Sequence, residues 1–294
     1  MNGMSQNIQW FPGHMTKTLR LMESELRNVD IIIELLDARI PFSSKNPAFA
    51  GMEKLKRTVL LLNKSDLADP EVTQEWVEYY GNLGHIALPF VSKEQDSKRK
   101  LFSILDSLKD EVFGTRTGRG MTGLKLRAMV IGIPNAGKST FINLVSNSSA
   151  ARVEDRPGIT RGKQWISAGG IELLDMPGVL WPKFDTSRVA YNLAFCGAIS
   201  DKVVDTVDLA LSLLNEIKDT RKSAVEERYK LSYDSISASE LMTAIGLRRG
   251  MLISKGEVDL NRVSIMLLDE LRGKKLGPVS FEYVSKIEEY LNDQ

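Results

Sequence analysis

The sequence contains one cysteine, two histidines and almost no net charge among its 294 residues. Cys196 alone cannot form an internal disulfide, which suits a reducing compartment. The 39 basic and 38 acidic residues give a net charge of +1, so an acidic partner would have to be bound by local patches. The polar N-terminus lacks a signal-peptide core, and the longest apolar runs are too short to span a bilayer. We therefore expect a cytoplasmic protein without a membrane partner.

The first two thirds of the chain alternate apolar runs with amphipathic stretches. This alternation predicts an α/β fold, with a mainly parallel sheet covered by helices on both faces. The predicted strands are Asp30–Asp37, Thr58–Asn63, Leu88–Val91, Arg127–Ile133 and Ile171–Asp175. The predicted helices are Pro70–Tyr80, Lys98–Val112 and Lys138–Val145, and a Gly- and Arg-rich connector spans Gly114–Gly120.

After Pro182 the pattern becomes helical. The predicted helices are Ser187–Ile199, Val203–Lys218, Ala224–Leu231, Ser239–Leu247, Leu260–Arg272 and Phe281–Leu291. Ser237 and Glu240 have the spacing of a capping box, and Gly273 is typical of a helix end. We therefore predict an α/β domain with an N-terminal anchoring segment in residues 1–182, and a smaller all-α domain in residues 183–294.

Gly132-Ile-Pro-Asn-Ala-Gly-Lys-Ser139 matches the phosphate-binding P-loop and lies between a predicted strand and a predicted helix. Its glycines let successive backbone N–H groups face the phosphates, and the helix N-terminus adds positive potential. Lys138 is expected to reach the β- and γ-phosphates, and the Ser139 hydroxyl to hold Mg²⁺. The predicted nucleotide contacts here are Gly132, Pro134, Asn135, Ala136, Gly137, Lys138, Ser139 and Thr140.

Asn63-Lys-Ser-Asp66 resembles the guanine-specificity motif of the GTPase superfamily. The Asp66 carboxylate can accept hydrogen bonds from the ring N–H and the exocyclic amine of guanine, a donor pair that adenine lacks, so GTP and GDP are the expected ligands. The stem of Lys64 would cover the base, and Asn63 would brace the loop. Val91-Ser-Lys93 departs from the familiar Ser-Ala-Lys; either a backbone contact to guanine near Ser92 or an ordinary loop fits this segment.

Asp175-Met-Pro-Gly178 follows a predicted strand and fits the Asp-x-x-Gly switch element. Asp175 would reach Mg²⁺ through water, and the Gly178 N–H would meet the γ-phosphate. A second match at Asp155–Gly158 is rejected because no apolar strand precedes it. Thr160 lies between the P-loop and Asp175, and it is the expected hydroxyl ligand of Mg²⁺, although a simple turn threonine also fits.

The order of these motifs is unusual, because the base motif precedes the P-loop. Cutting an ordinary GTPase fold after the Asp-x-x-Gly segment and joining its old ends gives this order without moving any strand. Together with Trp10–Met15, Asp37–Pro41 and Pro157–Thr160, the order resembles that of the circularly permuted GTPases of ribosome assembly. The switch at Asp175 would then lead directly into the helical domain.

The resemblance implies GTP hydrolysis in maturation of the large ribosomal subunit, with contacts from the helical domain to ribosomal RNA. The basic clusters Arg248–Arg249, Arg272 with Lys274–Lys275, and Lys98–Lys100 fit either RNA contacts or solvated surface. Two alternatives remain open: a GTPase that serves a tRNA-modification or other RNA enzyme, and a GTP-dependent scaffold. The sequence implies no particular oligomeric state.

Val179 stands where many GTPases carry a water-orienting glutamine. An aliphatic side chain cannot orient water, so we expect slow basal hydrolysis, about 10⁻⁴ to 10⁻² s⁻¹, stimulated by ribosomal particles. His14, in the N-terminal segment, is either the catalytic group that positions the water or a structural residue. Asn135 either shapes the P-loop or helps to bind K⁺ beside the phosphates, where the ion would act like an arginine finger.

Overall fold

The computed structural model describes residues 13–117, 124–146, 164–184 and 186–292. A six-stranded sheet forms the centre of the first part of this region, in the order β3-β2-β1-β4-β6-β5. The strands are β1 Ile31–Asp37, β2 Arg57–Asn63, β3 Ile86–Pro89, β4 Leu126–Gly132, β5 Gln164–Ala168 and β6 Ile171–Asp175. All neighbouring strands run parallel except the antiparallel pair β5 and β6.

The strand predictions from apolar runs are confirmed to within two residues at every end. Every residue of β1 is buried because this strand lies inside the sheet and helices cover both of its faces. Strand β5 was not predicted. It is an edge strand with exposed Gln164, Trp165 and Ser167, so it lacks a continuous apolar run. The turn between β5 and β6 is Gly169-Gly170, with φ of 52° and 88° at the two glycines, a typical signal for a tight hairpin.

Helices pack against the sheet, and further helices follow in the C-terminal part of the chain. Those of the first part are α1 His14–Glu25, α2 Pro41–Ser44, α3 Ala50–Glu53, α4 Pro70–Asn82, α5 Gln95–Thr117 and α6 Lys138–Ser146. The connector predicted to begin at Gly114 is wrong for its first four residues, because α5 continues through them. Buried Leu108 and Phe113 extend the apolar stripe of α5, and the helix ends only after that stripe.

The C-terminal part is helical, as predicted. Its helices are α7 Ser187–Phe195, α8 Thr206–Ile217, α9 Lys222–Tyr229, α10 Ala238–Arg248, α11 Leu260–Arg272 and α12 Ile287–Asn292. The capping box of Ser237 and Glu240 is present at the start of α10. None of the helices within the described ranges combines the length and the apolarity that a membrane span requires.

The helix predicted for Phe281–Leu291 begins later than expected, because residues 279–283 have no regular secondary structure and lie against the sheet part of the chain; a 3₁₀ turn at Val284–Lys286 and then α12 follow them. We call residues 279–283 the C-terminal strap. Its Val279 N–H donates to Leu67 O at 2.8 Å, and its Phe281 N–H donates to Arg39 O at 2.9 Å. These partners lie outside the segment, so these two N–H groups are satisfied without helical hydrogen bonds.

The buried carboxylate of Glu282 holds the C-terminal strap in place. The carboxylate accepts hydrogen bonds from the backbone N–H groups of Phe42 at 2.7 Å and Ser43 at 3.1 Å, and from Asn192 Nδ2 at 2.9 Å. The indole Nε1 of Trp76 donates to the Glu282 backbone oxygen at 3.1 Å. The strap thereby joins α2, α4 and α7, and one continuous apolar core extends from the sheet into the C-terminal helices. The division of the chain at residue 183 into two domains stays a prediction.

Candidate nucleotide-binding site

Four residues singled out in the sequence end parallel strands at one edge of the sheet. Asp37, Asn63, Gly132 and Asp175 are the last residues of β1, β2, β4 and β6. Since these strands are parallel, their carboxyl ends meet, and this is the edge at which open α/β sheets bind their ligands. The base motif, the P-loop and the switch element therefore lie together despite their separation along the chain.

The loop from β4 to α6 is shaped for a close approach between backbone groups. Gly137 has a φ of 96°, and a Cβ placed there would collide with Nδ2 of Asn63. Gly178 is equally constrained from the switch side, since its Cβ would lie 2.8 Å from Lys138 Nζ and 2.9 Å from Pro134 Cα. Only glycine fits at either position, so both motifs can pack directly on the loop.

Lys138 lies inside this loop, where its side chain is almost fully buried. Its Nζ donates to the backbone oxygens of Gly132 at 3.1 Å and Ile133 at 2.8 Å. Burial lowers the pKa of Lys138 to about 8, although the charge of Asp175 acts in the opposite direction. A buried ammonium that lacks full solvation gains from an anionic ligand, and phosphate oxygens supply that charge.

Asp175 provides the complementary charge at the end of β6. Burial raises its pKa to about 6, and the nearby Lys138 acts to lower it. A cation at this carboxylate would favour its ionised form. Ser139 lies one residue after Lys138 in the first turn of α6. The described residues hold no group of three or more His, Cys, Asp or Glu that could cage a metal ion. A site of few protein oxygens completed by phosphates, as Mg²⁺ favours, fits this donor set.

Asn63 connects the base motif to the P-loop. Its Nδ2 donates to Ala136 O at 2.7 Å, and its Oδ1 accepts from the Ser92 backbone N–H at 3.2 Å and the Ser92 hydroxyl at 2.8 Å. Ser92 therefore braces Asn63 in this structure, and a contact from the Val91–Lys93 loop to guanine stays a prediction. The Asn63 side chain therefore links the three loops that would surround a nucleotide, namely the base motif, the P-loop and the Val91–Lys93 loop.

Asp66 lies at the surface of this edge, where a ligand can reach it. Its side chain is 38% exposed, and Lys274 Nζ, from the turn after α11, lies 3.9 Å from its Oδ2. The pair is loose and solvent-exposed, so it is worth little by itself. Lys274 brings a residue of the C-terminal part next to the carboxylate that we predict to select guanine.

Lys64 and Asp37 form an ion pair that sequence reasoning missed. Lys64 Nζ lies 3.0 Å from Asp37 Oδ2, and Arg39 grips the same carboxylate through Nε at 2.8 Å and Nη2 at 2.7 Å. Burial acts to raise the pKa of Asp37, but Arg39 and Lys64 together hold it well below its usual range. A signal was present, since a carboxylate and a guanidinium two residues apart at the end of an apolar strand are buried only when paired.

The segment after Asp175 runs back along the P-loop strand. The Val179 side chain is fully buried, its N–H donates to Gly132 O at 3.4 Å, and Asn46 Nδ2 donates to its backbone oxygen at 3.0 Å. The next N–H, that of Leu180, points at the Met15 sulfur at 3.3 Å. The first turn of α1 is thus anchored beside the switch segment.

Asn135 reaches from the P-loop to the C-terminal part. Its φ is 56°, and its Nδ2 donates to Gly197 O at 2.7 Å in the turn that follows α7. Arg272 holds the same turn through hydrogen bonds to Phe195 O at 3.0 Å and Ala194 O at 2.8 Å, and it also pairs with Asp201. Arg272, one residue of the basic cluster predicted from the sequence, therefore has a structural role.

The predicted Mg²⁺ ligand Thr160, with the rest of Pro157–Thr160, lies outside the described part of the chain. The rejected Asp-x-x-Gly match at Asp155–Gly158 and the Trp10–Pro12 segment also lie outside it. The side chain of His14 also lies outside it, although α1 begins at this residue.

Comparisons with known proteins give a consistent result. Residues 127–237 match a family model described as 50S ribosome-binding GTPase. The chain is 41% identical over 286 residues to ribosome biogenesis GTPase A of Priestia megaterium, covering 97% of this chain and 99% of the relative. It is 38% identical to the Bacillus cereus protein of the same name, covering 97% of both chains. The crystal structure of GNP-bound YlqF from T. maritima superposes with a TM-score of 0.63 at 26% identity, covering 91% of this chain and 98% of that one.

Proposed function

Because the chain belongs to the ribosome biogenesis GTPase A family and is thus a GTP-hydrolysing protein of ribosome assembly, we propose that it is a GTP-dependent switch in assembly of the large ribosomal subunit. The match of residues 127–237 to a family described as 50S ribosome-binding supports the choice of subunit. We further propose that the helical part contacts ribosomal RNA and that the protein acts in the cytoplasm.

The observation that carries the nucleotide assignment is the hydrogen bond from Asn63 to Ala136. It joins the motif that would read the base to the loop that would hold the phosphates. Asp66 and the P-loop then form the two ends of one site, with the Lys64 stem between them. Because both ends are fixed to each other before a ligand binds, less ordering opposes nucleotide binding, and the Asp66 carboxylate would select guanine.

We propose that the GTPase fold is circularly permuted. The strand that leads into the P-loop, β4, lies between β1 and β6, while β2 with the base motif lies beyond β1. The sheet is therefore compatible with a GTPase core whose chain begins before β1 rather than at β4. The new chain order makes the switch strand β6 the last strand before the C-terminal helices.

The residues of the switch suit a Mg²⁺–GTP complex. Ser139 and Thr160 would bind Mg²⁺ directly, and Asp175 would bind it through water. The ion supplies positive charge that stabilises the charge developing on the phosphates during transfer. Lys138 would bind the β- and γ-phosphates, and the Gly178 N–H would donate to the γ-phosphate. The products of hydrolysis are GDP and phosphate.

We propose His14 as the group that orients the attacking water. Val179 is buried and aliphatic, so it cannot do so. The adjacent residue in α1, Met15, contacts the N–H of Leu180, directly after Val179, and this contact brings the start of α1 to the switch. A ribosomal partner that fixes the segment before α1 would complete the site, which would make hydrolysis slow in the free protein and fast on the particle.

We also propose a K⁺ ion beside the phosphates with Asn135 as a ligand. The Asn135 amide nitrogen is engaged by Gly197 O, which orients the side chain and leaves its oxygen as the ligand atom. The same hydrogen bond connects the phosphate site to the turn after α7. Loss of the γ-phosphate would release the switch loops and shift the C-terminal helices through this connection and through β6.

Co-sedimentation with separated precursors of the large and small subunits tests the proposal. The protein should sediment with the large-subunit precursor in GTP or a non-hydrolysable analogue, and remain in the supernatant with GDP. Lys138→Ala, which should not bind nucleotide, is the control. Equal binding to both subunits, or binding that ignores the nucleotide, would count against the switch. Stable association with a tRNA-modification enzyme instead would favour that alternative.

A further inference from the structure

Asp37 is the centre of a group of three charges at the end of β1, of which Asp37 and Arg39 are buried and Lys64 is partly exposed. The side chains of Asp37 and Arg39 are 2% and 1% exposed, whereas Lys64 is 24% exposed. Arg39 contributes its Nε, its Nη2 and its backbone N–H, at 2.8, 2.7 and 3.2 Å from the Asp37 carboxylate. Arg39 alone therefore balances the charge of Asp37, and the approach of Lys64 needs another explanation.

Lys64 adopts an unfavourable backbone conformation in this position, and its side chain does not extend into solvent. Its backbone is left-handed, with φ of 58° and ψ of 32°, a conformation that costs a non-glycine residue energy. A lysine with access to solvent would also normally extend its ammonium into water. The turn instead directs the side chain to β1, where its Nζ meets Asp37 Oδ2.

The pairing of β1 with β2 fixes the position of Asp37 relative to the base motif and the P-loop. Asp37 and Asn63 are paired residues of β1 and β2, and the Ala38 N–H donates to Asn63 O at 2.8 Å. Asn63 is tied to the P-loop, so the carboxylate of Asp37 is fixed relative to the phosphate site. The Arg39 backbone oxygen accepts the Phe281 N–H of the C-terminal strap, which fixes the pair from the other side.

We infer that Asp37, fixed by Arg39, is a positioning residue that places the Lys64 stem against the guanine ring. This inference rests on the proposed binding of guanine nucleotides at the site. Asp37 does not touch the base; it anchors the ammonium, and the aliphatic stem between the anchor and the backbone becomes a preformed surface for one face of the ring. Preorganisation of this kind improves affinity because the side chain is ordered before binding.

A double-mutant cycle on nucleotide affinity tests the inference. Dissociation constants of a fluorescent GDP are measured for the parent, Asp37→Asn, Lys64→Met and the double variant. Met keeps most of the stem but loses the ammonium. Each single change should weaken binding about tenfold, and the double variant should bind no more than about twofold more weakly than the worse single variant, because both changes remove one interaction. Additive losses would show that Asp37 has a general structural role and would overturn the inference.

Asp37→Asn leaves the buried guanidinium of Arg39 without its carboxylate partner, so the cycle is repeated with a variant that avoids this defect. Asp37→Asn combined with Arg39→Met removes the pair without leaving an unpaired guanidinium. Lys64→Met leaves the Asp37–Arg39 pair intact and should fold normally. If Lys64→Met binds GDP as tightly as the parent, the ammonium anchor has no role in binding and the inference is wrong, whatever the stability of the Asp37 variants.

Glu34→Gln is the matched control on the same strand. Glu34 is also buried and also pairs with a lysine, Lys45, at 2.9 Å, but it lies three residues earlier and hence on the opposite face of the sheet. This variant should change the unfolding midpoint and keep GDP affinity within about twofold of the parent. A comparable loss of affinity in Glu34→Gln would mean that any damage to β1 weakens binding. Failure of the parent itself to bind GDP would instead refute the proposed function, and the inference with it.

Discussion

Asn135 of the P-loop donates a hydrogen bond of 2.7 Å to the backbone oxygen of Gly197, in the turn that ends α7. A residue of the phosphate site is thus tied to the C-terminal helices through a direct bond. The position of Asn135 within the loop means that any ion or phosphate that moves its side chain also acts on that turn. Asn135 therefore has two roles, one at the phosphate site and one at the turn after α7.

Replacing K⁺ with Na⁺ at constant ionic strength should slow GTP hydrolysis, and Asn135→Ala should remove the difference between the salts. The physical reason is that the ion adds positive charge where negative charge develops in the transition state. Arg272→Gln is the control, because it loosens the same turn from the other side without touching the P-loop. Identical hydrolysis rates of the parent in the two salts would discard the K⁺ site.

Asp66 should determine the base. Asp66→Ala should weaken GTP binding by roughly 1–3 kcal/mol, because polar groups on the ligand lose their partner. Asp66→Asn should shift the preference toward xanthosine nucleotides, whose extra carbonyl suits an amide donor. Lys274→Gln, which removes the cation 3.9 Å from Asp66, should leave the order of base preference unchanged. Competition assays with GTP, XTP and ATP measure this, and equal affinity of the parent for ATP and GTP would end the guanine assignment.

His14→Ala should keep GTP affinity within about twofold and cut particle-stimulated hydrolysis by about 10²-fold, since the residue is proposed to act on the water. Single-turnover hydrolysis with and without large-subunit precursors is the measurement. His85→Ala, which changes the other histidine, should behave as the parent. If His14→Ala is stimulated as strongly as the parent, His14 is structural and the partner supplies the catalytic group.

The rate at which the buried Cys196 thiol is alkylated should report how often the turn after α7 opens. Burial raises the pKa of its thiol to about 12, so the reactive thiolate is scarce in the folded protein. Alkylation should therefore be much slower in the native protein than in urea. Saturating GTP should slow it further if nucleotide stabilises the adjoining Asn135–Gly197 contact. Fast labelling of the native protein would show that this junction is open in solution.

The Asp37 ion pair should contribute to stability above about pH 4 and lose that contribution in acid. The pKa of Asp37 is lower in the folded chain than the usual 3.8, so acid unfolding protonates a carboxylate that the fold keeps ionised. Urea unfolding of the parent should show stability falling as pH decreases below that value. In Asp37→Asn the decline should be shallower and the stability at pH 7 lower. Parallel pH profiles for the two proteins would contradict the assignment.

Much of the site was predictable because its chemistry uses contiguous residues. The P-loop from Gly132 to Ser139 and the base motif from Asn63 to Asp66 have fixed spacing, and the strands before them are apolar and buried on both faces. The contacts that connect these motifs were not predictable in the same way. Asn135 and Gly197, or Arg39 and Phe281, are far apart along the chain, and no local pattern states which backbone oxygen a side chain will find.

The C-terminal strap shows the same difficulty in a clearer form. Phe281 to Leu291 has a helical pattern of apolar residues, and the last part does form α12. The first part instead follows the partners that the sheet domain offers to its backbone, and tertiary hydrogen bonds override the local preference. Edge strand β5 was missed for another reason, because its exposed polar residues Gln164 and Ser167 interrupt the continuous apolar run that marks the inner strands.

The contacts of Glu282 also determine when, during translation, the packing around α2 and α4 can be completed. Phe42 and Glu282 are 240 residues apart along the chain, and the Phe42 N–H donates a hydrogen bond to the Glu282 carboxylate at the start of α2. During translation, α2 and α4 are made long before Glu282, so the Trp76 indole and the first N–H groups of α2 lack their partners until Glu282 has been synthesised. Contacts of such high sequence separation form late in folding. A newly made chain therefore completes the wall behind Asp37 and Arg39 only once the strap has emerged, so a truncated product would lack a fully assembled site.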